Sequence, residues 1–324
     1  MRKITFREAI TETLDETLQR DPSVLLFGED IGLLGGAFQA TKGLWQKYGE
    51  RRVRNTPISE AAIIGAAIGT ACTGLKPIAE IMFCDFLYVG MDQIVNQMAK
   101  MKYMYGGKAV LPIVIRTTCG AGLGGAAQHS QSNEAMFAHV SGLKVVVPST
   151  PKDAKGLLRS AIADPNPVLF FEDHRLYDLK AEVPDDDYTI PLGLAEVKRE
   201  GTDLTIVAAA AMVDISLDVA EELAKAGISI EVVDPRTVSP LDMDTINKSV
   251  MKTKRLIVTH EAPVTCGVGA EIAARIQESA FGHLKAPVKR VCGKDSPIPC
   301  TPVLEKFVMP QKEDIVNAAK ALVA

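Results

Sequence analysis

Short apolar runs alternate with helix-length segments along the first half of the chain. Residues 24–27, 77–82, 111–115, 143–147 and 168–171 carry little polar interruption, the mark of strands buried on both faces of a parallel sheet. Between them, residues 60–73, 88–102, 132–139 and 151–163 are helix-length. Ahead of all of these, Thr5-Phe-Arg-Glu8 has the form of a capping box, and Phe6, Ala9, Ile10, Leu14 and Leu18 follow at helical spacing, so a helix is predicted to about Arg20.

From residue 173 to 201 the pattern lapses into charged, proline-containing sequence, the composition of a linker. A second alternation follows, with strands expected at 204–210, 229–234, 256–259 and 288–291 and helices at 213–226, 242–251 and 269–279. The expectation is an α/β fold of two parallel-sheet domains, residues 1–185 and 203–324, joined by a linker at 186–202.

A length of 324 residues suits two domains, and 47% hydrophobic with 23% charged residues suits a folded globular chain. Forty acidic against 36 basic side chains leave a net charge of −4, which provides no basic field for nucleic acid. No apolar run approaches the ~20 residues of a membrane helix, and Arg7 and Glu8 interrupt the place where a signal peptide would need its apolar core. A cytoplasmic location, away from membrane and nucleic acid, is expected. Six scattered cysteines without a Cys-x-x-Cys pair read as reduced thiols; Cys119, beside a glycine-rich segment, is the one placed to face a site.

That segment, Gly120-Ala-Gly-Leu-Gly-Gly125, satisfies the dinucleotide-binding glycine pattern. No helix starts directly after it, however, and the next strand end lacks the ribose-binding acid, so it is read instead as a flexible loop presenting His129. His129 lies in a polar, glycine-flanked stretch where an imidazole can work as acid or base near neutral pH, or simply sit in a loop. Glu60 opens a helix rich in small residues. It is either an acid favoured by the helix dipole or a carboxylate gripping a basic nitrogen of a ligand. A Gly-Asp-Gly segment followed by a downstream Asn is missing, as are a P-loop and a Gly-x-Ser-x-Gly elbow. A phosphorylated cofactor would therefore need a partner to hold its phosphates.

Pro57-Ile-Ser-Glu60, Arg116-Thr-Thr-Cys-Gly-Ala-Gly122, Ala126-Ala-Gln-His-Ser-Gln131, Gly142-Leu-Lys-Val-Val-Val-Pro-Ser149, Asp153-Ala-Lys-Gly-Leu-Leu158 and Asp234-Pro-Arg-Thr-Val-Ser-Pro-Leu-Asp242 together resemble the beta subunits of the thiamine-diphosphate-dependent first component of 2-oxo acid dehydrogenase complexes. The resemblance spans essentially the whole chain. The 116–122 stretch and Pro297-Ile-Pro-Cys-Thr-Pro-Val-Leu-Glu305 look more like the acetoin-cleaving branch than the pyruvate or branched-chain branches.

The resemblance implies a transketolase-like pyrimidine-binding domain followed by a transketolase C-terminal domain. It implies thiamine diphosphate shared with an alpha subunit in an α2β2 heterotetramer, the alpha subunit holding magnesium. It also implies contact with the subunit-binding and lipoyl domains of a dihydrolipoamide acyltransferase. Glu60 would hydrogen-bond N1′ of the aminopyrimidine, with Phe86 against the ring and Ile58 and Met82 nearby, although core packing also accounts for Phe86. His129 would move protons as the acyl group passes to the lipoyl disulfide. Asp92 aligns with an acid proposed to link two active sites, but a neighbouring family acid is Val89 here. A potassium site of mainly carbonyl oxygens would match Ile113, Ala161, Ile162, Asp164 and Asn166, where plain loop structure is the competing explanation.

Overall fold

A computed structural model describes residues 1–324. By its contacts the chain divides into two compact units: Met1–Cys119 with Met136–Leu192, and Gly120–Ala135 with Gly193–Ala324. The division after Leu192 falls inside the stretch read as a linker. The inclusion of Gly120–Ala135 in the second unit departs from a simple cut along the sequence.

The first unit opens with β1 (Arg2–Thr5) and α1 (Phe6–Arg20). The capping box is present: the Glu8 N–H donates to Thr5 Oγ1 at 3.0 Å and the Thr5 N–H to Glu8 Oε2 at 2.6 Å. Phe6, Ala9, Ile10, Leu14 and Leu18 form the buried stripe of α1. There follow β2 (Val24–Gly28), α2 (Leu44–Tyr48), β3 (Val53–Asn55), α3 (Glu60–Cys72) and β4 (Lys76–Phe83). The segment expected as one helix over 88–102 is broken: a 3-10 turn at Cys84–Tyr88, a π-helical turn at Gln93–Met98 and the short α4 (Met101–Met104). Gly90 explains part of this, because a Cβ there would sit 2.3 Å from Ile64 Cδ1, so the backbone lies hard against α3. Next come β5 (Val114–Cys119), α5 (Glu134–Ala138), β6 (Lys144–Val146), α6 (Pro151–Ala163), β7 (Val168–Asp173) and β8 (Lys180–Val183). Strands pair in parallel in the order β6-β7-β5-β4-β2-β3. β1 and β8 form a separate antiparallel pair. β5 and β7 are buried along their whole length, as strands covered on both faces must be.

The second unit contains β9 (Glu196–Arg199), β10 (Leu204–Ala208), α7 (Met212–Ala224), β11 (Ile230–Asp234), β12 (Thr237–Ser239), α8 (Met243–Thr253), β13 (Leu256–Pro263), α9 (Val268–Ala280), β14 (Lys289–Gly293), α10 (Pro302–Val308) and α11 (Lys312–Val323). Its sheet runs β14-β13-β10-β11-β9, parallel except for β9 at the edge. Ile206, Val232 and Ile257 from the sheet pack with Val219, Leu223 and Ile315 from α7 and α11 as its core. The two α/β units agree with the expected fold class, with an antiparallel edge strand in the second sheet and the separate antiparallel pair β1–β8 added. No helix is long and apolar enough to cross a membrane.

Candidate active site

In an open parallel sheet, ligands bind beyond the carboxyl ends of the strands, where loops rather than backbone ladders present side chains. At that end of the first unit β2 finishes in Gly28, followed directly by Glu29. A Cβ on Gly28 would lie 2.6 Å from the Glu80 carbonyl oxygen of neighbouring β4, so only glycine fits this close strand approach.

Glu60 is the first residue of α3 and is 7% exposed. No group of the chain hydrogen-bonds or ion-pairs with its carboxylate. An acid at a helix N-terminus gains from the helix dipole, and this carboxylate, with no donor inside the chain, is free to accept one from outside it. Glu29, half-buried, is within electrostatic reach: burial first, then the charges of Glu60 and Asp30, raise its carboxyl pKa above the usual range. Sequence reasoning missed Glu29; its place immediately after a central strand was the available signal.

The other expected residues of this unit are distributed as follows. Met82 is half-buried at the end of β4 and Phe86 half-buried in the turn after it, with Phe83 edge-on to Phe86 at 6.1 Å. Ile58 is 81% exposed ahead of α3. Gly90 sits against the first turn of α3, 3.4 Å from the Glu60 carbonyl oxygen by its would-be Cβ. Asp92 is exposed and accepts from Asn96 Nδ2 at 2.8 Å. Cys119 is buried at the end of β5, and its carbonyl lies 2.9 Å from His174 Nδ1.

Of the carbonyl positions, Ile113 O accepts from the Val168 N–H at 2.9 Å and Ala161 O from the Asp164 N–H at 3.3 Å. Ile162 is buried on α6. Asp164 Oδ1 accepts from the backbone and side-chain amides of Asn166, both at 2.9 Å. Lys144 ion-pairs with Asp164, and Lys102 Nζ donates to Asn166 Oδ1 at 2.7 Å. Both side-chain oxygens thus already face ammonium groups, so a cation there would rest on backbone carbonyls.

His129 belongs to the second unit, half-buried directly after a 3-10 turn at Ala126–Gln128. The glycine segment before it is tied rather than loose, because Gly120, Ala121, Gly122 and Gly124 all donate backbone hydrogen bonds within this unit.

Comparison with known proteins agrees with the fold. Residues 2–180 match the transketolase pyrimidine binding domain and residues 193–315 the transketolase C-terminal domain. The beta subunit of acetoin:2,6-dichlorophenolindophenol oxidoreductase from Bacillus subtilis (strain 168) is 48% identical, over 99% of this chain and 97% of its own. The beta subunit of the pyruvate dehydrogenase E1 component from the same strain is 47% identical, over 99% of this chain and 98% of its own. Among solved structures, a chain described as a split-gene transketolase, inactive beta4 tetramer, superposes with a TM-score of 0.81 at 24% identity, covering 99% of this chain and 98% of that one; it speaks to the fold.

Proposed function

The chain belongs to the family of transketolase-type beta subunits that includes acetoin and pyruvate dehydrogenase chains, and from that premise we propose that it is the beta subunit of an acetoin dehydrogenase. In this reading it binds thiamine diphosphate jointly with an alpha subunit, in an α2β2 assembly in the cytoplasm. It passes an acetyl unit to the lipoyl group of a dihydrolipoamide acyltransferase, whose subunit-binding domain docks on the assembly.

The observation that carries the reading is the carboxylate of Glu60, a largely buried residue at the first turn of α3 whose side chain has no donor within the chain. When bound, thiamine diphosphate supplies a nucleophilic thiazolium carbon. Glu60 would accept a hydrogen bond from N1′ of the aminopyrimidine and hold the proton shared there. Phe86, with Met82 and Ile58, offers apolar surface to the ring. His129 would take the proton of the substrate hydroxyl and carry protons during transfer to the lipoyl disulfide. The alpha subunit holds magnesium and the diphosphate. A potassium ion would be held by carbonyl oxygens among Ile113, Ala161, Ile162, Asp164 and Asn166.

A second reading, oxidative decarboxylation of pyruvate, is favoured by the 47% identity to the pyruvate dehydrogenase subunit. The two are separated by assaying the reconstituted alpha–beta pair with acetoin, pyruvate and branched-chain 2-oxo acids, using an artificial electron acceptor. Acetoin should be preferred by at least about tenfold in kcat/KM. Preference for a 2-oxo acid overturns the substrate assignment, and thiamine-independent inertness toward every donor would reduce the chain to a docking subunit.

A further inference from the structure

The loop that carries His129 is held by carboxylates distant in sequence. The Gly120 N–H donates to the Gln131 carbonyl at 2.9 Å, closing residues 120–131 into a compact loop with adjoining ends. Within it, the N–H groups of Gly122 and Gly124 both donate to Glu305 Oε1, at 2.8 and 3.3 Å. The Ala121 N–H donates to Glu261 Oε2 at 3.3 Å. Glu305 and Glu261 are 6% and 7% exposed. Hydrogen bonds to a buried ionised acceptor are about twice as strong as neutral ones.

Local conformation fits this clasp. Gly122 and Gly124 have φ of +116° and +67°, in the region that favours glycine. A Cβ on Gly125 would lie 3.0 Å from both Cβ and O of His129, so the loop presses directly on the histidine. On α10, Val303, Leu304 and Phe307 are exposed, whereas Glu305 turns inward beside the apolar group of Ala121, Val308 and Met309. The short helix delivers one carboxylate to the loop.

We propose that Glu305, assisted by Glu261, is a positioning residue that sets His129 for proton transfer by fixing the backbone of residues 120–125. This rests on the reading of His129 as the proton carrier. Glu305 acts through the loop and touches no reacting atom.

The test compares Glu305→Ala, Glu305→Gln and His129→Ala in the full alpha–beta assembly loaded with thiamine diphosphate. Three quantities are read: amide hydrogen exchange of residues 120–131, acyl transfer to free lipoamide, and deuterium exchange at the thiazolium carbon, which on the proposed function depends on the Glu60–N1′ contact and not on His129. In Glu305→Ala, loop amides should exchange about tenfold faster and acyl transfer should fall about tenfold, while thiazolium exchange stays within about twofold. Glu305→Gln keeps a carbonyl acceptor without the charge and should recover most of both losses. Unchanged loop exchange in Glu305→Ala overturns the proposal, as does a parallel fall in thiazolium exchange. If the Ala variant does not fold, Glu305→Gln decides, by showing the same pattern at about threefold or failing to. Full acyl transfer in His129→Ala instead overturns the underlying role of the histidine, an outcome distinct from any behaviour of the loop.

Discussion

Arg116 and Glu172 meet across β5 and β7 in a two-point contact, Nε to Oε1 at 2.7 Å and Nη2 to Oε2 at 2.8 Å, with side chains 2% and 1% exposed. Arg116 Nη1 also donates to Glu80 Oε2 on β4 at 2.7 Å, and the Tyr177 hydroxyl to Glu172 Oε2 at 2.8 Å. Burial works against the Arg116 charge, but Glu172 and Glu80 outweigh it and hold the guanidinium above its usual pKa. The group therefore ties three neighbouring strands below the carboxyl edge. Arg116→Met would leave two carboxylates in the interior without their cation and should cost about 3–5 kcal/mol. Adding Glu172→Met and Glu80→Gln should return much of that loss. Urea unfolding of the single and triple variants decides, since a triple variant no more stable than the single one contradicts the argument.

Gly142 has φ of +103°, and a Cβ there would lie 2.0 Å from the Ala99 carbonyl oxygen, a backbone atom that cannot swing aside. Gly142→Ala should cost more than about 3 kcal/mol, because strain and overlap add. Gly74 has φ of +88° but open space around it. Gly74→Ala should show only the conformational cost of about 1 kcal/mol. Equal melting temperatures for the two variants would mean that the close approach of Gly142 to Ala99 is not maintained.

Local signals were legible in the chain where their partners lie close in sequence. The Thr5–Glu8 capping box and the apolar spacing of α1 predict a helix that forms over Phe6–Arg20. The 88–102 helix does not form as expected because Gly90 is set by its approach to Ile64, 26 places back in the chain, which no local pattern encodes. β1, β8 and β9 were missed because short edge strands such as Arg2-Lys-Ile-Thr5 carry charged, half-exposed side chains and no apolar run. At the site, the position of Glu60 at a helix start was readable, while its lack of a donor was not. The bonds of Gly122 and Gly124 to Glu305 were equally invisible, since backbone donors leave no trace in residue identity.

His260 provides a pH test of the second unit. It is 3% exposed; its Nδ1 lies 3.1 Å from the Ala262 carbonyl, and its Nε2 accepts from the Gly269 N–H at 3.0 Å. Burial, helped by the charge of Arg290 and opposed by the Ala262 carbonyl, pushes its pKa down to about 4. The neutral ring is thus the folded form, and a proton on Nε2 would confront the Gly269 N–H. Because the folded pKa is depressed, the unfolded chain binds more protons between pH 6.5 and 4. The contribution is complete above pH 6.5 and lost as pH falls through 4, amounting to about 3 kcal/mol. His260→Asn should remove this slope from the stability–pH profile of unit-specific unfolding, followed by hydrogen exchange in β13 and α9. A slope unchanged by the substitution would assign the acid sensitivity elsewhere.

On the proposed function, Glu60 separates an effect on stability from one on chemistry. Its carboxylate has no donor within the chain, and its charge contributes to the raised pKa of Glu29, after burial. Glu60→Gln removes a charge that repels Glu29 and has no donor within the chain, so the isolated chain should unfold at the same or slightly higher denaturant concentration, a gain of at most about 0.5 kcal/mol. The Glu29 carboxyl should titrate at lower pH, because relief from a like charge favours ionisation. In the cofactor-loaded alpha–beta assembly the same substitution should slow deuterium exchange at the thiazolium carbon by about 100-fold, the scale of a lost acid–base group. Carboxyl titration by NMR, denaturant unfolding and exchange kinetics read the three effects independently. A destabilised chain with Glu29 unmoved would show that Glu60 is satisfied internally, and undiminished exchange would separate it from the cofactor altogether.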